Sequence, residues 1–220
     1  MIYLLIIWLV KRCRTAERAV RRSPARKMAS LLLILLYFSG GLPGQKPAAV
    51  YDVIHNGEVK GTLVLNREAD SGRLHIKIVT HVSTRILFRI AVKSIEEAVF
   101  EKGSLIYSSL YREVNGEEKV NQQLQLSGAS YRLIGKETIA DLPVFPIRFC
   151  ILLLYCQEPV NIKQVYSDNY NQYLEIKKAG QNKYQVIFPN GNSNYYCYKN
   201  GICTQVEIDQ FYHLEFRLQQ

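Results

Sequence analysis

The 220-residue sequence has no apolar run long enough to cross a bilayer as a helix, which takes about 20 residues. The two candidates near its start, Ile2 to Val10 and Leu31 to Phe38, span nine and eight residues. Motifs that carry common chemistries are missing as well. No H-x-x-x-H, H-E-x-x-H or paired C-x-x-C spacing occurs, so the usual zinc sites have no ligand set. His75 and His81 share a strand face but lie six positions apart, about 20 Å along an extended chain, too far to ligate one metal. G-x-S-x-G, Walker and G-x-G-x-x-G loops are also absent. The acid pairs Glu96-Glu97 and Glu117-Glu118 are adjacent, so on strands their carboxylates point to opposite faces and cannot act as a couple. These absences argue against an enzyme, and no catalytic, metal, cofactor or ligand-binding residue is assigned.

Acidic residues are scarce at one end. The chain carries 28 Lys and Arg against 19 Asp and Glu, a net +9, but residues 1–27 hold eight basic side chains and one acid. Removing that +7 from the +9 leaves +2, so the body is nearly neutral and nucleic-acid binding loses its main support. With 48% apolar and 21% charged residues, the chain is too apolar to be disordered.

The basic stretch and the run Leu31–Phe38 together have the form of a secretory signal: Arg21, Arg22, Arg26 and Lys27 precede the run, and the small residues Ser39 and Gly41 follow at cleavage-site spacing. An n-region of 27 residues is too long, which points to a true start at Met28 or slightly before it. A competing reading takes Ile2 to Val10 as a membrane-associating segment with a positive stop at Lys11 to Arg14. No cysteine follows the apolar run where a lipid anchor would attach. The expected product is a soluble exported protein, periplasmic or extracellular, with residues 1–44 as leader and 45–220 as one domain, touching membrane through the leader alone.

From Val50 onward the signals are strands and tight turns. Asn-Gly occurs at 56–57, 115–116, 190–191 and 200–201, and it favours type I′ hairpins because both residues tolerate positive φ. Flanking segments alternate with period two: Leu74, Ile76 and Ile78 against His75 and Lys77, then Ile86, Phe88, Ile90 and Val92 against Arg85, Arg89 and Lys93. Further runs follow at meander spacing to residue 218, with almost no amphipathic helix between them, which disfavours an α/β fold. The predicted fold is all-β: a curved antiparallel meander sheet or incomplete barrel. One hydrophobic insert interrupts it between Pro143 and Pro159; its core, Ile147 to Tyr155, is a short buried helix or a buried strand that plugs or closes the sheet.

Four cysteines lie in the body. If Asn200-Gly201 is a two-residue turn, Cys197 and Cys203 face opposite sides of the ladder, and Cys150 and Cys156 are six positions apart. Disulfides would then have to cross between the two pairs; the alternative is four buried free thiols. Thirteen tyrosines follow Gly44, with Tyr195, Tyr196 and Tyr198 beside one turn. They read as strand residues with wet hydroxyl ends, or as the lining of a ligand pocket or carbohydrate surface.

Several stretches together resemble a family of bacterial exported proteins of unknown function. They are Tyr51-x-Val53-x-x-Asn56-Gly57-x-x-x-Gly61, Ala98-Val99-Phe100-x-x-Gly103-x-Leu105-x-x-Ser108, Leu154-Tyr155-x-x-Glu158-Pro159 with Val165-Tyr166-Ser167, and Phe188-Pro189-x-Gly191-x-x-Asn194-x-Tyr196-x-Tyr198-x-Asn200-Gly201. The resemblance covers about residues 50 to 218. It implies an antiparallel β protein similar to lipoprotein-carrier half-barrels or lipocalin-like sheets, and no activity. The functional expectation is a non-enzymatic binding or carrier protein holding a lipid or other apolar or amphipathic molecule on its concave face, partly closed by Ile147–Tyr155. The alternative is a structural or assembly protein of the cell envelope with a filled core, and an internal cavity of about 300 Å³ would separate the two.

Overall fold

In the computed structural model, residues 48–85, 89–136, 138–142, 146–209 and 213–219 are described. The leader assigned to residues 1–44 lies outside them. Eight strands come first: β1 (Ala49–His55), β2 (Glu58–Asp70), β3 (Arg73–Arg85), β4 (Arg89–Glu101), β5 (Ser104–Val114), β6 (Glu117–Ser127), β7 (Ser130–Gly135) and β8 (Ile139–Leu142). The hydrophobic insert follows. Six more strands complete the chain: β9 (Gln164–Ser167), β10 (Gln172–Gly180), β11 (Lys183–Ile187), β12 (Ser193–Lys199), β13 (Ile202–Asp209) and β14 (Leu214–Leu218).

All fourteen belong to one antiparallel sheet, ordered β8-β7-β6-β5-β4-β3-β2-β1-β14-β13-β12-β11-β10-β9. Each half is a meander, and β1 joins them by pairing with β14, Val53 opposite Phe216. The ends β8 and β9 do not pair, so the sheet is not closed into a barrel.

Turn chemistry explains the meander. Asn56-Gly57, Asn115-Gly116 and Asn200-Gly201 all have positive φ at both residues, the I′ geometry that matches strand twist. Asn190-Gly191 differs: φ is positive at Gly191 alone, and Phe188 to Asn192 form a longer turn in which Phe188 N–H donates to the Asn192 carbonyl at 2.9 Å. The alternating run read through residues 85–93 is also not one strand. Arg85 pairs with Arg89, so it is divided between β3 and β4, and residues 86–88 are not among those described.

Period-two alternation places one face inside. Ile76, Ile78, Leu63, Leu65, Tyr51, Val53, Val206 and Tyr196 are buried there, whereas Lys77 and Glu97 pair outside at 2.6 Å. Against this concave face lies the insert. Its core is a single-turn 3-10 helix, Ile151–Tyr155, that touches β3, β4, β9 and β13. Leu152, Leu153 and Leu154 are buried, as are Ile147, Phe149 and Cys150 just before them, while Arg148 stays exposed. The segment leading into the helix also bridges the sheet: Leu105 N–H of β5 donates to the Ile147 carbonyl at 2.7 Å, and Tyr166 N–H of β9 donates to the Phe149 carbonyl at 2.9 Å. The insert therefore packs into the curve of the sheet among its inward-facing side chains.

Tyrosines fix it there. Tyr198 Oη donates to the Leu154 carbonyl at 2.6 Å, and Tyr131 Oη donates to the Leu105 carbonyl at 2.8 Å while accepting Ile147 N–H at 3.0 Å. Tyr155 makes edge contacts with Tyr51 and Tyr196 at centroid distances of 5.6 and 5.9 Å. The expected wet hydroxyl ends do not hold for Tyr131 and Tyr198, because the buried carbonyls and N–H groups of the insert need internal partners. Of the two cysteine readings the free thiols prevail, but only Cys150 and Cys203 are buried; Cys156 and Cys197 are half-buried. Cys203 points inward, opposite Tyr198, and Cys197 lies opposite Gln205 on the other face.

Candidate functional site

Two polar features stand out on this apolar scaffold, one sealed inside and one at the rim. The inner one begins on β5, where Ser108, Leu110 and Arg112 point to the concave side. Across the interior, the turn linking β9 to β10 brings Asp168, Asn169 and Asn171 against them. Ser108 Oγ donates to Asp168 Oδ1 at 2.5 Å, Arg112 donates to Asn169 Oδ1 at 3.1 Å, and Gln122 of β6 donates to the Asp168 carbonyl at 2.5 Å. Arg112 also faces Glu96 of β4 at 3.8 Å, and Ser94 Oγ donates to the same carboxylate at 3.2 Å. This clasp ties the far end of the sheet to its middle where no ladder hydrogen bonds do so.

Burial controls the charges here. Removal from water pushes the Asp168 carboxyl up to about 6, against the pull of the Ser108 hydroxyl. It lowers the Arg112 guanidinium, with Glu96 and Tyr170 acting the other way. A carboxyl near 6 suits general acid–base work, and a serine beside it suggests a nucleophile. Ser108, however, has no exposed surface, Asp168 is nine-tenths buried, and the clasp contains no histidine to relay a proton. The arrangement is that of a structural latch.

The outer feature is a cleft of about 460 Å³ at one mouth of the curved sheet. One wall is a pair of tight turns, Ser71-Gly72 and Lys102-Gly103, joined by Lys102 N–H donating to the Gly72 carbonyl at 2.9 Å. The insert forms the other wall through Arg148, Leu153 and Gln157. Leu74 and Phe100 line it below, and Arg67 and Arg73 enter from β2 and β3. Arg67 follows Leu63 and Leu65 at period two, which puts it on the concave side.

The sequence reading assigned no site residue, and it missed both features. A signal existed in the phase: Arg67 after Leu63 and Leu65, and Arg112 between Leu110 and Val114, are charges at inward positions of apolar runs. The four histidines do not form one cluster. His75 lies on the outer face 3.9 Å from Glu97, His81 is exposed on the same face, and His55 contacts the His213 carbonyl at 3.0 Å at the end of β1. Glu96 points inward and Glu97 outward, as adjacency requires. Among the described residues no group of three or more His, Cys, Asp or Glu is placed to hold a metal ion.

Fold and site define a class: a β-barrel-like antiparallel protein with a segment of its own chain packed into the curve of its sheet. Within that class, the chain belongs to the family described as a domain of unknown function, DUF6134, whose model matches residues 51–219. The crystal structure of a β-barrel-like protein of domain of unknown function DUF1849 from Brucella abortus is similar, with 12% identity and a TM-score of 0.50 over 78% of this chain and 94% of that one. At that identity the likeness shows the fold alone. No curated protein matches the sequence.

Proposed function

We propose that this is an exported, non-enzymatic bacterial binding protein that takes an amphipathic molecule at its rim rather than inside its curve. One observation carries the reading: Leu152–Tyr155 fill the concave face, while a cleft of about 460 Å³ opens beside them, between the insert and the turns Ser71-Gly72 and Lys102-Gly103. A ligand of lipocalin type would need the space the insert occupies. The non-enzymatic part rests on the burial of Ser108 and Asp168, the shorter of the two serine–carboxylate contacts of the interior clasp. Export rests on the signal-like order of basic residues, apolar run and small residues before Gly41.

The filled interior also favours a second reading, a structural or assembly protein of the cell envelope that holds no small molecule. Purification from the native host, organic extraction and mass spectrometry separate the two. The binding reading predicts a recurrent amphiphile near one per protein. Repeated absence of any such molecule, with none taken up from added lipid, would favour the structural reading.

A further inference from the structure

We propose that the rim cleft is a phosphate site, with Arg67 and Arg148 gripping the phosphate group of an amphiphile and Arg73 at its lip. The inference rests on the rim-binding reading and adds the chemical class of the ligand. Other cations of the fold mostly have carboxylate partners: Lys77 with Glu97, Arg132 with Asp141, Lys183 with Glu207 and Arg217 with Glu215. Arg67, Arg73 and Arg148 have no ion pair among the described residues, yet all three line one cleft. Against them the lining carries a single carboxylate, Asp70, which already accepts the Ser71 hydroxyl at 2.7 Å.

Clustered like charges repel, so the exposed guanidiniums of Arg67 and Arg148 at one mouth favour an anion between them, whereas Arg73 at the lip also faces Glu68, Asp70 and Glu97 of the outer cleft. A planar guanidinium matches a phosphate in a two-point geometry, which a point-like ammonium does not. Arg67 already projects its field inward: it draws down the Cys156 thiol, which burial pushes up to about 11. The walls are held before any ligand arrives, one by the Lys102-to-Gly72 hydrogen bond and the other by the Tyr198 bond to Leu154. Gly72 and Gly103 leave open space where a side chain would stand, so the rim is unobstructed. Leu74, Phe100 and Leu153 give the cleft an apolar side that a free phosphate would not use, which favours a lipid phosphate over the inorganic ion. Two other clefts lack this pattern: that near Gly61 has Lys60 held by Glu58, and that around Arg73 and His75 is lined by Glu68, Asp70 and Glu97.

Calorimetric titration of the full chain tests the site, using dihexanoyl phosphatidic acid below its micellar concentration, dihexanoyl phosphatidylcholine and inorganic phosphate. One molecule of phosphatidic acid should bind per protein, more tightly than either other probe. Arg67→Gln with Arg148→Gln should weaken it about tenfold or more. Both side chains are exposed, and unchanged melting of the double variant checks that the fold is intact. Equal binding of phosphatidic acid and phosphatidylcholine, indifferent to the arginines, would overturn the phosphate site while leaving rim binding in place. Inorganic phosphate binding as tightly as phosphatidic acid would overturn the amphiphile. No binding of any probe to the wild type would overturn both this inference and the rim reading.

Discussion

Replacing Asp168 by asparagine should remove a penalty that the fold incurs as pH rises. Burial lifts this carboxyl from 3.8 to about 6, so the folded state prefers the protonated form more strongly than the unfolded chain does. For a group raised in this way, the favourable contribution is complete below the unfolded value and disappears as pH climbs through the folded one. A lift of about two units at about 1.4 kcal/mol each makes the difference about 3 kcal/mol, developed between about pH 4 and pH 7. Asparagine cannot ionise, and its side-chain carbonyl still accepts the Ser108 hydroxyl bond seen at 2.5 Å. Urea unfolding of both proteins across that range provides the assay. The variant should gain about 3 kcal/mol on the wild type as pH rises. Exposed groups such as Glu58, held low by Lys60, titrate alike in both proteins and cancel. Parallel profiles, or a variant that loses ground with rising pH, would refute the buried carboxyl.

Gly61→Ala should destabilise by about 1–3 kcal/mol in thermal or chemical unfolding, because a Cβ there would lie 2.0 Å from the His81 carbonyl oxygen and the backbone must shift. Wild-type stability in that variant would refute the close approach. Tyr198→Phe removes the donor to the Leu154 carbonyl and should lower stability by about 1–3 kcal/mol without changing the circular dichroism spectrum. Burial pushes all four body thiols above their ordinary value, so thiol reagents at neutral pH should react with the folded protein slowly and with all four in denaturant. Fewer than four reactive body thiols in denaturant would reveal a disulfide.

What could be read from the sequence was mostly local. Asn56-Gly57, Asn115-Gly116 and Asn200-Gly201 announce their hairpins because two adjacent residues carry the whole backbone requirement. Ser71-Gly72 and Lys102-Gly103 adopt the same signs of φ, but serine and lysine seldom do, so their signal is faint. Asn190-Gly191 misleads because Asn192 extends the turn, its N–H donating to Asn190 Oδ1 at 3.2 Å. The apolar content of Ile147–Tyr155 requires burial, whereas a five-residue 3-10 turn is too short to declare its period. The clasp was the least legible part: Ser108 and Asp168 are 60 residues apart, and only the curvature of the assembled sheet makes them neighbours. The rim arginines sit on β2, on β3 and in the insert, and no pattern within one segment gathers them.

The central claim is that the sheet curves around a fixed plug, which leaves binding to the rim. Hydrogen exchange of residues 147–155 in the ligand-free protein, read by mass spectrometry, tests it most directly. The amide of Ile147 is tied to Tyr131 Oη and that of Leu153 to the Cys150 carbonyl, both within the filled interior. A plug should exchange as slowly as β4 and β5, opening only with the whole fold. Exchange of this segment well before those strands would mark a mobile lid over an internal site, and would contradict the account.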